Sequence, residues 1–136
     1  MDNEKDRVKG SYARCLMKDN FFDYFYEIFM NADPYVKERF SKTDFEQQKK
    51  LIRHGVNLMI MYANEEFVAK VGLERLRKSH SINELNIHPK YYSYWKASLI
   101  QTVAEFDDEF DENLRNDWSQ VLDVGIAFIS SGYDAY

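Results

Sequence analysis

The spacing of apolar residues in this chain is that of α-helices along nearly its whole length. Only two prolines and five glycines interrupt the 136 residues, and no stretch shows the strict polar–apolar alternation of a half-buried strand. There is no internal repeat and no low-complexity linker. The sequence therefore predicts an all-α fold in a single domain, residues 1–136, with about seven helices and short connections.

Local signals mark where several of these helices begin. Asp33 precedes Pro34, which is the pairing of an N-cap residue with a proline at the first helical position. Thr43 and Glu46 have the spacing of a capping box. With the apolar spacing, these signals predict helices at Glu4–Met17, FFDYFYEIFM, PYVKERF, TDFEQQKKLIRHGVNLMIMYA and EEFVAKVGLERLRKSH (which ends at His80), then one starting at Pro89 and one from about Asp111.

Each longer helix carries one apolar line that we expect to face the core. The lines are Phe22, Phe25, Tyr26 and Phe29; Phe45, Ile52, Val56 and Met59; Val71, Leu73 and Leu76; Tyr92, Trp95, Leu99, Val103 and Phe106; and Leu114, Trp118, Val121, Leu122, Ile126 and Ile129. Aromatic residues make up 16% of the chain, which is more than core packing alone calls for. They suit a domain whose side chains wall a large apolar cavity.

Composition narrows the possible partners. The net charge is −5 and no basic tract is present, which argues against nucleic acid or an anionic membrane surface as a partner. Cys15 is the single cysteine, so an internal disulfide or a multi-cysteine metal site is excluded, and its apolar neighbours predict a buried, inert thiol. The charged N-terminal segment does not resemble a signal peptide, and no run of residues would span a membrane. A cytoplasmic location is therefore expected.

The common catalytic and phosphate-binding motifs are missing from the sequence. It has no Gly-rich phosphate loop and no GxSxG turn, and the acidic segment Glu105–Asn113 lacks the turn glycine of a calcium loop. We expect that segment to be a solvated corner between two helices, with N-cap character. Of the three histidines, we expect His54 to face solvent and His88 to cap the helix at Pro89. The residues alone leave His80 as either a polar helix end or a metal ligand.

Four segments, in this order, resemble the globins, in particular bacterial single-domain and sensor-type globins and the haem domain of flavohaemoglobins. They are FYEIFMNADPYVKERF, with an Asp-Pro helix start and an aromatic corner residue, Phe40; LRKSH; LNIHPKYYSYW; and DENLRNDWSQVLDVGIAFI, with an early tryptophan. The resemblance covers about residues 10–133. It implies a globin fold of about seven helices around a pocket for haem b (iron protoporphyrin IX).

The resemblance also implies a role for particular residues. His80 would be the iron ligand, and Ser79 and the carbonyl of Leu76 would fix its second ring nitrogen. Tyr26 and Gln48 would be the distal hydrogen-bond donors to a bound gas. The other implied pocket residues are Phe40, Phe45, Ile52, Val56, Leu76, Ser79, Ile87, Tyr92 and Trp95, and the candidate partners of the haem propionates are Lys49, Arg53, Arg77 and Lys78.

The function implied by the resemblance is reversible binding of dioxygen, and of nitric oxide or carbon monoxide, in gas transport or sensing. One alternative is a nitric-oxide dioxygenase that works with a separate reductase, and another is a haemless globin-like signalling module. The late glutamate of flavohaemoglobins is missing near Tyr133, and no reductase domain is expected after Tyr136. Phe128 and Ile129 are expected to be exposed hydrophobic residues of the last helices that could form a helix-to-helix homodimer, and a separate signalling partner is the other expectation.

Overall fold

A computed structural model describes the chain from residue 4 to residue 136. These residues form seven α-helices and one 3-10 turn, with no β-strand among them, so the predicted all-α fold and helix number are confirmed. The elements are α1 (Glu4–Leu16), α2 (Phe21–Ala32), α3 (Pro34–Arg39), α4 (Phe45–Ala63), α5 (Phe67–Ser79), the 3-10 turn (Pro89–Tyr91), α6 (Tyr92–Phe106) and α7 (Glu112–Ser130).

The helix starts follow the local signals with two corrections. Asp33 caps α3 as predicted, because its carboxylate accepts a hydrogen bond from the Tyr35 backbone N–H. The N-cap of α4 is Asp44, whose carboxylate accepts from the N–H groups of the second and third residues after it, so the predicted Thr43 capping box is wrong. Pro89 begins the short 3-10 turn, and α6 itself begins at Tyr92.

The core lies where α1, α2, α4, α6 and α7 pack together. Its largest fully buried side chains include Trp118, Phe21, Phe25, Leu99 and Leu122. Most of the predicted apolar lines are buried, but the predicted burial of Val71 is wrong: 48% of this residue is exposed. Ala69 and Leu73 are the residues of α5 that face the core, and Val71, halfway between them, points to the opposite side. Ile126 is half-buried.

Two glycines let helices approach closely at the core. A Cβ at Gly125 in α7 would lie 2.8 Å from Cγ of Met59 in α4 and 3.2 Å from its Cβ. A Cβ at Gly72 in α5 would lie 2.8 Å from Leu58 in α4. Helix α5, which His80 follows directly, is thus held against α4, and α4 is held against α7.

The acidic corner between α6 and α7 is partly buried. Asp107 is only 3% exposed, and its carboxylate accepts hydrogen bonds from Ser11 Oγ (2.5 Å), Arg14 Nε (2.7 Å) and the Glu109 backbone N–H (3.0 Å). The predicted solvated corner is therefore wrong for Asp107, although Asp111 does cap α7. Burial alone would raise the pKa of Asp107, but these donors hold it below its ordinary value.

The predicted burial of Cys15 is confirmed. Cys15 is fully buried, and burial raises the pKa of its thiol to about 12, so the thiol stays protonated and inert at neutral pH. No helix among residues 4–136 combines the length and apolar character needed to cross a bilayer.

Candidate functional site

One cavity of about 590 Å³ lies between α2, α3, α4, α5 and α6. Its volume falls in the range of small-molecule and cofactor sites. The predicted pocket residues that line it are Tyr26, Phe40, Gln48, Ile52, Val56, Leu76, Ser79, His80, Ile87, Tyr92 and Trp95. Phe45, which was also predicted, stands behind the wall and packs its ring against Tyr26 (centroids 5.4 Å apart) and Phe40 (6.3 Å).

His80 occupies the C-terminal end of α5 and lines the cavity. Its Nδ1 lies 2.9 Å from the Leu76 carbonyl oxygen, which can only accept, so Nδ1 carries the proton and donates. Ser79 Oγ lies 3.1 Å from Nδ1 and donates to the same carbonyl. The acceptor predicted from the sequence is therefore in place, and Nδ1–H fixes both the tautomer and the orientation of the ring.

The second ring nitrogen of His80 is left available. Nε2 makes no hydrogen bond with any residue of the described chain. Every fully buried polar side-chain atom in the described chain has a hydrogen-bond partner, so the unpartnered Nε2 cannot be fully buried and is accessible. Burial lowers the pKa of His80, the Leu76 carbonyl opposes this, and the positive charge of Arg39 lowers the pKa further. The ring is thus a neutral imidazole with a free lone pair.

Tyr26 and Gln48 form a pair of polar groups in the same cavity. Gln48 Nε2, on α4, donates a hydrogen bond of 3.0 Å to the phenol oxygen of Tyr26, on α2. Burial raises the pKa of Tyr26, so its phenol stays protonated at neutral pH. Because the oxygen accepts from Gln48, the Tyr26 O–H remains able to donate to a third group. The edges of Phe40 and Phe45 pack around the tyrosine ring.

Arg39 is the one lysine or arginine that lines the cavity within the described residues. It lies in the last turn of α3, and its guanidinium donates a hydrogen bond to the carbonyl of Leu85 in the loop after α5. None of the four residues predicted to pair with the haem propionates (Lys49, Arg53, Arg77 and Lys78) lines the cavity. Lys49 pairs with Asp23 and Glu46 on the outside of α4, and Arg77 is held by Phe128 O, Ser131 and the Tyr136 hydroxyl.

Several cavity residues were missed by sequence reasoning. Tyr35 and Tyr91 stack with ring centroids 4.7 Å apart and join α3 to the 3-10 turn, where no periodic pattern marks either residue. His54 is exposed as predicted, yet it lines the cavity edge, and His88 caps the 3-10 turn as predicted through Nδ1, which accepts from Lys90 N–H. The other missed wall residues are Phe29, Val36, Thr43, Leu51, Gly55, Met59, Leu85 and Ile129.

The donor set limits which metal group the cavity could hold. The described residues contain no group of three or more His, Cys, Asp and Glu side chains able to hold a bare ion. His80 therefore offers a single nitrogen ligand. A metal bound there would have to bring most of its own ligands, as the iron of a porphyrin does, and the apolar walls suit a flat organic ring.

A fold of seven α-helices that contains an apolar cavity, with one histidine at the end of α5, defines a globin-like protein. The fold superposes with a TM-score of 0.92 on the crystal structure of the protein PA3967 from Pseudomonas aeruginosa PAO1, described as structurally highly homologous to a human hemoglobin. The two sequences are 39% identical, over 97% of this chain and 99% of the Pseudomonas chain. This chain belongs to the same globin-like family. No protein-family model and no curated protein sequence matches it.

Proposed function

We propose that this protein is a haem b globin that binds dioxygen reversibly, and nitric oxide or carbon monoxide as well. The observation that carries the proposal is one apolar cavity that contains both the free Nε2 of His80 and the Tyr26–Gln48 pair. Haem, if bound, would supply an iron able to bind a small gas reversibly. Every other role belongs to residues of this chain.

His80 would be the residue that holds the haem iron. A ligating imidazole must be neutral, and here burial and Arg39 both disfavour its protonated form. The bond from Nδ1–H to the Leu76 carbonyl holds the ring in one orientation and makes Nε2 the donor atom. This partner is a neutral carbonyl rather than a carboxylate, so it adds little to the electron density of the imidazole. That favours reversible gas binding over oxidative catalysis.

Tyr26 and Gln48 are the proposed gas-stabilising groups. A gas held in this cavity that carries partial negative charge would be stabilised by a phenol O–H or an amide N–H by roughly 1 kcal/mol each in a dry pocket. The two residues already touch, with Gln48 donating to Tyr26, so the tyrosine proton is free for the gas. The same pair would serve a nitric-oxide dioxygenase, which remains the second candidate.

Arg39 is the proposed partner of the acidic haem edge. The two propionates are the only charged groups on the rim of haem b, and they require cations or water. Arg39 offers a guanidinium at the cavity wall that is bonded only to a backbone carbonyl, so its remaining N–H groups can donate to a carboxylate.

Absorption spectroscopy tests the proposal. We expect the protein loaded with haem to show a Soret band typical of a five-coordinate ferrous haem, with reversible changes under dioxygen and carbon monoxide. His80→Ala should abolish the five-coordinate spectrum. His54→Ala, which removes an imidazole from the cavity edge, is the matched control and should leave the spectrum unchanged.

Two results would decide between the alternatives. A protein that stays colourless after haem is supplied would overturn the proposal and favour the haemless module. Sustained consumption of nitric oxide with production of nitrate, in the presence of a reductase, would favour the dioxygenase.

A further inference from the structure

The outward side of α5 carries an apolar patch that no other part of the described chain covers. Phe67 is 82% exposed, Val68 67% and Val71 48%. Single exposed apolar side chains are ordinary, but three neighbours within five residues of one helix form a contiguous patch. We call this patch, with the charged side chains that flank it, the α5 outer face.

Six charged residues flank the apolar patch in an ordered way. Glu65 and Glu66 lie just before α5, and Arg75 and Lys78 lie in its C-terminal half. Lys70 and Glu74 lie between them. All six side chains are exposed, and none forms an ion pair within 4 Å of another described residue. The face is thus acidic at one end, basic at the other and neutral in sum.

This charge order matches a second copy of the same face placed antiparallel. We place a two-fold axis near Val71. A residue that lies a given number of positions before Val71 in one copy is then level with the residue that lies the same number of positions after Val71 in the other copy. Glu65 and Glu66 then lie level with the span between Arg75 and Lys78 of the second copy. A parallel arrangement would instead set acid against acid and base against base.

The centre of that arrangement is also complementary. Glu74 of one copy comes within about one helical turn of Lys70 of the other, measured along the helix axis. Val71 of one copy meets Val71 of the other at the two-fold axis, and Phe67 and Val68 lie within about one helical turn of the axis, level with Arg75 and Glu74 of the second copy. Every charged residue of the α5 outer face therefore lies near an opposite charge, and the apolar patch is partly covered by the second helix.

We propose that the α5 outer face is a homodimer interface in which two copies of this chain pack with their α5 helices antiparallel. This is not the surface expected from the sequence. Ile129 is buried and lines the cavity, and Phe128 is half-buried under the Arg77 guanidinium, so neither supports a dimer. The proposal does not depend on haem. A helix about 20 Å long offers a small interface, so the dimer is a weak, concentration-dependent one.

Sedimentation velocity from about 1 µM to about 1 mM protein tests the proposal. We expect the wild type to shift from monomer to dimer within this range. Glu65→Lys/Glu66→Lys should raise the dimer dissociation constant at least about tenfold, because both ends of the face become basic. Arg75→Glu/Lys78→Glu should do the same with both ends acidic. An equimolar mixture of the two variants should dimerise, since each basic end then faces an acidic end.

Matched charge changes elsewhere on the surface serve as controls. Asp19→Lys/Glu105→Lys and Lys9→Glu/Lys50→Glu alter exposed residues by the same net charge and should dimerise like the wild type. A wild type that is monomeric at the highest concentration overturns the proposal. So does a dimer that survives both variants, which would place the interface elsewhere. Failure of the mixture to dimerise overturns the antiparallel arrangement.

Discussion

At the scale of single residues, the phenol of Tyr26 is the group that would discriminate between gases under the proposed function. It is buried, stays protonated and accepts a hydrogen bond from Gln48, so its own proton is free to be donated to a third group. Carbon monoxide gains little negative charge on binding to haem, whereas dioxygen gains more. A hydrogen-bond donor should therefore stabilise dioxygen selectively.

Tyr26→Phe tests this selectivity. Loss of one hydrogen bond of about 1 kcal/mol should speed dioxygen release about fivefold and leave carbon monoxide release nearly unchanged. Flash photolysis and stopped-flow mixing of the ferrous protein measure both rates. Tyr35→Phe is the control, because it removes another cavity phenol while keeping the ring stacked on Tyr91. Equal changes for the two gases would mean that Tyr26 shapes the pocket and donates nothing.

Arg39 gives a second test at the residue scale. Arg39→Gln should weaken binding of metal-free protoporphyrin about tenfold, because the variant loses a charge-assisted hydrogen bond, and should not weaken binding of its dimethyl ester. Quenching of tryptophan fluorescence follows both titrations, since Trp95 lines the cavity. Lys49→Gln removes a cation outside the cavity and should change neither. Equal loss for acid and ester would show that Arg39 only supports the loop at Leu85.

At the scale of helices, close packing depends on Gly125 in α7. Gly125→Ala should lower the free energy of unfolding by about 1–3 kcal/mol, because the new methyl group overlaps the inner part of Met59. Gly10→Ala is a matched control in α1. Its Cβ would lie 3.5 Å from Arg14, an ordinary contact, so it should stabilise by about 0.5–1 kcal/mol. Urea denaturation measures both. Similar effects of the two substitutions would contradict the packing argument.

Sequence patterns predicted the helices better than the site, and the reason is physical. Periodicity and capping depend on residues a few positions apart. The helix start at Asp33 and Pro34 and the burial of Leu73 could therefore be predicted from neighbouring residues. His80 also has a local partner, the Leu76 carbonyl one turn earlier. Arg39 contacts Leu85, 46 residues away, which no local pattern records.

The same reasoning explains the errors in helix ends and burial. Thr43 and Asp44 are both good N-cap residues, and only the backbone geometry of the helix start decides between them. Val71 is predicted to be buried because it is apolar, whereas the helical period that joins Ala69 and Leu73 places position 71 on the opposite side of α5.

At the scale of the whole molecule, a cluster of polar side chains joins helix α1 near the N-terminus to helices α6 and α7 near the C-terminus. Arg14 in α1 pairs with Asp107 between α6 and α7, and Trp118 in α7 donates through Nε1 to Ser11 Oγ at 2.9 Å. Ser11 in turn donates to Asp107. Helix α1 is thus tied to the α6–α7 corner, more than 90 residues later in the sequence, through a single buried carboxylate, so the charge of Asp107 should influence global stability.

The pH dependence of unfolding tests this role. The pKa of Asp107 is lower in the folded protein than in the unfolded chain. Between these two pKa values the unfolded state binds more protons than the folded state, so the free energy of unfolding rises with pH in that range. The contribution is fully present above the ordinary carboxyl pKa and is lost as the pH falls through the lower, folded value. Asp107→Asn should lower the free energy of unfolding by about 2 kcal/mol at pH 7. This is less than the loss expected when a fully buried ion pair is broken, because Arg14 is partly exposed to water.

Urea denaturation of the wild type and of Asp107→Asn at a series of pH values gives the difference in free energy of unfolding. We expect this difference to be constant near neutral pH and to shrink in acid, because protonated Asp107 and the asparagine that replaces it are then both uncharged. Asp108→Asn is the control, since Asp108 is exposed and lies 3.4 Å from Lys18, and it should cost little at any pH. A difference for Asp107→Asn that stays constant down to the acid limit would mean that the carboxyl acts through its shape and hydrogen bonds, with no contribution from its charge.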